Sequence, residues 1–133
     1  MDLTFGDNQI LHKELTERII QCFYVVYNTL GYGFLENVYQ NALYIELKKN
    51  GFTCEAQKDI KVYYDSQCIG NYRADIVVDD LIILELKAAE ELNTAHALQL
   101  LNYLKATNYE VGLLLNFGKK PEIRRKIFQN IYK

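Results

Sequence analysis

Proline occurs once, at Pro121, and no stretch is low in complexity or internally repeated. Nothing reads as a linker, and 133 residues fit a single domain. Histidine is limited to His12 and His96. Cysteine is limited to Cys22, Cys54 and Cys68, an odd count with no Cys-x-x-Cys. These shortages argue against a zinc site and against a disulfide framework. They point instead to reduced thiols, in the core or at an edge, in a cytosolic protein. No apolar run approaches the ~18 residues of a membrane span. The first ten residues include Asp2 and Asp7 and do not read as a signal peptide. The expectation is a cytoplasmic chain with no membrane partner. Positive charge is not in excess, with 15 Lys and Arg against 17 Asp and Glu, a net charge of -2. That counts mildly against extended contact with a nucleic-acid backbone, although a carboxylate-lined site lowers the isoelectric point by itself.

Half of the residues are hydrophobic, including 11 Tyr and 6 Phe, which suffices for a real core. Residues 8 to 30 read as a helix, because Leu11, Leu15, Ile19, Phe23, Val26 and Leu30 recur every three or four positions. Gly31 and Gly33 break it. A second helix is expected from about Leu35 to Lys49, burying Leu35, Val38, Tyr39, Ala42, Leu43 and Leu47, with Asn50-Gly51 as its stop. From Cys54 the period becomes two. Ile60, Val62 and Tyr64 alternate with polar neighbours, Asp65-Ser66-Gln67 supplies a turn, and Cys68 to Val78 forms the returning strand. In that strand Tyr72, Ala74, Ile76 and Val78 share one face, and Arg73, Asp75 and Val77 the other. Asp79-Asp80 turns into a third strand, Leu81 to Ala88. A third helix follows from Thr94 to Thr107, capped by Asn93 or Thr94. Val111 to Phe117 is continuously apolar, as a strand buried on both faces is. A basic tail from residue 119 closes the chain, with a helical turn or two expected over Ile123 to Ile131. The order is α-α-β-β-β-α-β, a four-stranded mixed α/β sheet flanked by helices and containing one crossover.

The third strand carries two charges in an apolar context. Glu85 and Lys87 project from the same face, about 7 Å apart along the strand. Charges in a central strand are normally paired or bound to a metal, because an unpaired buried charge costs several kcal/mol. The turn at Asp79-Asp80 can bring Asp75 beside Glu85. Two carboxylates at one place favour a divalent cation, and oxygen ligands favour Mg²⁺ or Mn²⁺. The Leu86 carbonyl could add a ligand, and Lys87 could orient a water or neutralise charge at phosphorus. A plain salt bridge of Lys87 with Asp75 or Glu85 accounts equally well for these three residues.

The wider pattern resembles the PD-(D/E)XK nucleases. Asp75, a nine-residue gap and Glu85-Leu86-Lys87 across a hairpin match their signature. The stretch Gly33-Phe34-Leu35-Glu36-Asn37-Val38-Tyr39 matches the GxxExxY motif of one small family within them. The resemblance runs from about Leu11 to Phe128. It includes Tyr72-Arg73-Ala74-Asp75, Gln99 to Leu104 and Gly112 to Gly118, and Ala74 stands where a proline often precedes the motif aspartate. It implies a restriction-endonuclease-like core and Mg²⁺-dependent (or Mn²⁺-dependent) hydrolysis of phosphodiesters in nucleic acid, DNA above all. It implies Asp75 and Glu85 as the metal carboxylates, Glu36 as the acidic residue that completes the metal shell directly or through water, Lys87 as the catalytic lysine, and Gln99 with Tyr103 as the Gln-x-x-x-Tyr pair. The Leu86 carbonyl joins the metal shell on the strand argument above.

On their own terms these residues admit plainer roles. Glu36 lies in the first turn of a helix, where the dipole favours a carboxylate, but it shares a stripe with Leu43 and Leu47 and so is expected to turn inward. His96, Gln99 and Tyr103 share a helix face and could meet a substrate strand, or could form an ordinary polar side. Lys119, Lys120, Arg124 and Arg125 could contact a phosphate backbone or belong to a solvated tail, and Arg73 could pair with a carboxylate or a phosphate. A catalytically inactive nuclease-fold module that binds nucleic acid or a partner protein is the competing function. A homodimer that pairs two sites is a further possibility.

Overall fold

The computed structural model describes residues 11–133. Helix α1 spans Lys13–Leu30 and α2 spans Glu36–Lys49. The expected start of α1 at residues 8 to 10 lies outside the described residues. Five strands follow: β1 (Cys54–Tyr64), β2 (Gln67–Val78), β3 (Ile82–Lys87), β4 (Val111–Phe117) and β5 (Pro121–Ile127). Helix α3 (Thr94–Lys105) lies between β3 and β4, and a 3₁₀ turn covers Asn130–Tyr132. The sheet order is β1-β2-β3-β4-β5, antiparallel except for the β3–β4 pair joined by α3.

The fifth strand corrects the four-stranded reading. The basic tail is an edge strand, not a helical turn, and Val111 to Phe117 pairs with it along its whole length. Ile123 and Ile127 pack on the core while Glu122, Arg124 and Lys126 alternate with them, so the period is two. Pro121 opens the strand at the sheet edge, where a missing N–H is tolerated.

Both tight turns take the geometry that matches strand twist. Asp65 and Ser66, the two residues of the β1–β2 turn, and Asp79 and Asp80, the first two of three in the β2–β3 turn, all have positive φ. Helices α1 and α2 cover one face of the sheet through Ile19, Phe23, Val26, Tyr39, Leu43 and Leu47. Helix α3 covers the other through Leu100 and Leu104, on Ile83, Leu114 and Ile60. The expected buried side of α2 loses one member, since Leu35 is the N-cap and lies 76% exposed.

The face assignment in β2 also changes. Ile76 and Val78 join the α1–α2 side, whereas Tyr72 and Ala74 pack on the α3 side. The alternation switches at Asp75, where the β1–β2 ladder skips the Gln57/Asp75 pair and Gln57 takes a φ of 53°. The β2–β3 ladder ends at Ile76↔Leu84. Beyond it the two strands part, and the motif residues stand at the parting.

Candidate active site

Asp75 lies on β2 one residue past Ile76, the last to pair with β3, and Glu85 and Lys87 lie on β3 just past the same pair. Asp75 Oδ2 accepts the backbone N–H of Leu86 at 2.8 Å, which ties the carboxylate to β3 across the opening. Glu85 lies half-buried against it, and its Oε1 is buried with no hydrogen-bond partner. Burial pushes the Glu85 carboxyl up to about 9. The negative charge of Asp75 and a hydrogen bond with it add to the rise, Glu36 adds a little, and Lys87 opposes it. Lys87 makes no hydrogen bond and no ion pair within 4 Å among the described residues. The plain salt bridge is therefore not what holds this lysine.

Glu36 opens α2 and is exposed, rather than turned inward as its stripe suggested. Its charge nonetheless reaches Glu85. Its position is set by the segment around it. The buried Tyr39 hydroxyl donates to the Gly31 carbonyl at 2.6 Å and accepts the Phe34 N–H at 3.2 Å. Gly33 takes a φ of 110°, a conformation that side chains other than glycine rarely adopt. The Gly-x-x-Glu-x-x-Tyr spacing thus bends the loop, opens the helix and ties the loop down.

On the α3 side, the ring of Tyr103 stacks on Tyr72 with centroids 3.5 Å apart. Both phenols feel the Glu85 charge, and burial first, then that charge, raises their pKa values. The Tyr72 hydroxyl is buried without a partner, like Glu85 Oε1. The sequence reading placed Tyr72 on one face of its strand and within the Tyr72-Arg73-Ala74-Asp75 match, and gave it no role in the site. Gln99 is exposed one turn before Tyr103. His96 closes a capping box: its N–H donates to Asn93 Oδ1 at 3.0 Å, and its Nδ1 accepts the Asn93 N–H at 3.4 Å.

The basic residues are dispersed. Arg73 Nε donates to Asp59 Oδ1 at 3.1 Å, and Arg124 pairs with Glu122 at 3.5 Å. Arg125 donates to the Leu11 carbonyl. Lys119 and Lys120 are exposed in the β4–β5 turn.

One buried polar residue escaped the sequence reading. Asn116, fully buried in β4, accepts the Ala89 N–H at 2.9 Å and donates to the Ala89 carbonyl at 3.0 Å and to Glu122 at 3.2 Å. Gly118 lets the Ala89 carbonyl approach so closely that a Cβ would lie 2.0 Å from it. Together they hold the segment that leaves the site. A lone amide in an apolar strand is the same signal that singled out Glu85.

Two carboxyls and a lysine at the parting of two central strands, with helices on both faces, define a restriction-endonuclease-like α/β domain. The chain belongs to the PD-(D/E)XK nuclease superfamily, whose sequence profile matches residues 13–126. Nucleases of this superfamily typically use divalent metals. No curated protein matches the chain. Among solved structures, the crystal structure of SSO0001 is similar, with a TM-score of 0.56 and 18% identity over 71% of this chain. The match spans half of that protein, and it shows the fold alone. Among the described residues no three His, Cys, Asp or Glu side chains are grouped so that they could hold a metal ion, and no helix is long and apolar enough to cross a membrane.

Proposed function

We propose that this chain is a Mg²⁺- or Mn²⁺-dependent nuclease of the GxxExxY kind, hydrolysing phosphodiester bonds in DNA. The observation that carries the reading is Glu85 Oε1, a buried carboxyl oxygen with no partner beside a second carboxylate. Oxygen donors of this kind fit a hard divalent cation. Asp75 and Glu85 would hold it. The N–H and C=O of one strand residue lie on the same edge, so the Leu86 carbonyl faces the Asp75 side, where the ladder has ended. Glu36, exposed and further off, would contribute through water.

When bound, such an ion polarises a phosphoryl oxygen and acidifies a water. Lys87 carries its charge unspent and can orient the attacking water or meet charge that grows on the phosphorus oxygens. Tyr103, stacked on Tyr72, offers a hydroxyl beside the same centre, and Gln99 one turn earlier offers an amide toward the incoming strand. His96, Lys119 and Lys120 remain available to the phosphate backbone on this reading, whereas Arg73 and Arg124 are paired with Asp59 and Glu122 and Arg125 is tied to the Leu11 carbonyl.

Incubation with Mg²⁺ or Mn²⁺ and linear, nicked and single-stranded DNA, with RNA alongside, tests the proposal. Cleavage that disappears with chelator and in Lys87→Met is expected. No cleavage of any substrate, or equal cleavage by the variant, contradicts it. A second reading, a catalytically inactive module on the same fold, is favoured by one observation: no three-ligand metal group occurs among the described residues. It predicts nucleic-acid or protein binding that chelator leaves unchanged.

A further inference from the structure

The loop between α1 and α2 exposes large apolar side chains beside the candidate centre. Tyr32 is 58% exposed, Phe34 47% and Leu35 76%. Leu35 immediately precedes Glu36, and Tyr39 on the same helix stacks on Phe117, the neighbour of Asn116, which pairs with Lys87 of the centre. The exposure is not slackness. Tyr39 fixes the loop from below through Gly31 and Phe34, and its ring stacks on Phe117 at 4.3 Å with the planes 12° apart. Phe34 meets the Tyr39 ring edge-on at 6.0 Å. Tyr32 makes no ring contact of this kind among the described residues.

The same anchoring gathers positive charge at this rim. The Tyr27 hydroxyl donates to the carbonyls of Gly118 and Lys119 at 2.8 and 2.9 Å, and the Gly31 N–H donates to the Tyr27 carbonyl. The exposed Lys119 and Lys120 therefore share the rim with Tyr32 and Phe34. An anchored aromatic lip, two exposed lysines and a carboxylate centre at the same end of the sheet match an unpaired polynucleotide. Its bases expose π-faces to stack, and its phosphates need cations. Bases inside a duplex are already stacked and cannot use such a lip.

We propose that Tyr32 and Phe34 stack the bases of an unpaired strand and lead it to the Asp75–Glu85 centre, so that single-stranded stretches, overhangs or frayed ends are the preferred substrate. This rests on the nuclease reading above. Lys119 and Lys120 take the phosphates on either side of the stacked bases.

The chain contains no tryptophan, so Tyr32→Trp is a single reporter at the lip. In chelator, where nothing is cut, a short single-stranded DNA or RNA oligomer should quench the reporter. A blunt duplex and an abasic deoxyribose-phosphate oligomer should not. The paired change Tyr32→Ala with Phe34→Ala should weaken single-strand binding by at least about 5- to 150-fold, the range for loss of one stacked base. Tyr32→Ala alone leaves the loop hydrogen bonds intact and should show the smaller part of that loss.

Equal quenching by blunt duplex, no quenching, or affinity within twofold in the paired variant overturns the proposal. So does burial of the lip in a second copy, seen as a dimer by light scattering that the paired variant dissolves. The nuclease reading fails separately: base-dependent quenching without metal-dependent cleavage leaves the lip standing and removes the enzyme. Cleavage of duplex and single strand at equal rates, unchanged in the paired variant, does the reverse.

Discussion

Glu85 sets the sign of the pH dependence at the scale of single residues. Its carboxyl is pushed from an ordinary value near 4.5 to about 9 by burial, with the Asp75 charge second. A group whose pKa is raised on folding contributes stability that is complete below its unfolded value. That contribution is lost as pH rises through the folded value. The metal-free protein should therefore weaken from about pH 4.5 towards pH 9. Glu85→Gln, an isostere of the protonated acid, should be more stable than the parent at pH 8, by roughly 1–3 kcal/mol. The difference should vanish near pH 4. Thermal unfolding in chelator across that range measures it. A variant less stable than the parent at pH 8 contradicts this account of the carboxyl.

Lys87 is the complementary case. Among the described residues it makes no ion pair, so Lys87→Met should change stability by less than about 0.5 kcal/mol, like other substitutions outside the core. It should still lower any cleavage rate roughly 100-fold or more, as loss of a transition-state charge partner does. Parallel unfolding and initial-rate measurements separate the two effects. The charges of Asp75, Glu85 and Lys87 were legible because they interrupt apolar strands. Tyr72 was not: its hydroxyl is orphaned only because the face of β2 switches at Asp75, and strict alternation hides that switch.

At the scale of elements, the hydrophobic period carried most of the architecture. The spacing of Ile19, Phe23 and Val26 gave α1, the alternation after Cys54 gave the hairpin, and the unbroken apolar run gave β4. Strand β5 was missed because charge dominates residues 119 to 126. Ile123 and Ile127 alone reveal its inner face, and an edge strand asks for no more. The turn between β4 and β5 also depends on Asn116, which fastens the segment leaving β3 by two hydrogen bonds to Ala89 and reaches Glu122 of β5 by a third. Asn116→Ala would strand the Ala89 amide and carbonyl and should cost roughly 2–4 kcal/mol. Urea denaturation gives the value, and a loss under about 0.5 kcal/mol would show that Asn116 is not the fastener.

For the whole molecule, the parting of β2 from β3 explains why one small sheet can carry a reactive centre. Two central strands bring the carboxyls together, and the end of their ladder leaves Asp75, Glu85 and the Leu86 edge open. The helices on both faces then set what surrounds the opening. Helix α2 delivers Glu36, the loop before it carries the aromatic lip, and α3 delivers Tyr103 over Tyr72. That three-sided arrangement was readable only through its resemblance to a known pattern. Glu36, exposed at a helix start, and Gln99, exposed on α3, carry no physical mark of a site by themselves.

The central claim is that Asp75 and Glu85 share one divalent cation, and calorimetric titration with Mn²⁺ tests it most directly. In two buffers of different ionisation enthalpy at pH 7, the account predicts one ion per chain with sub-millimolar affinity. Roughly one proton should be released on binding, because the raised Glu85 carboxyl must ionise to become a ligand. Asp75→Asn should abolish that binding. Affinity of millimolar or weaker, with no proton released and no change in Asp75→Asn, would contradict the account.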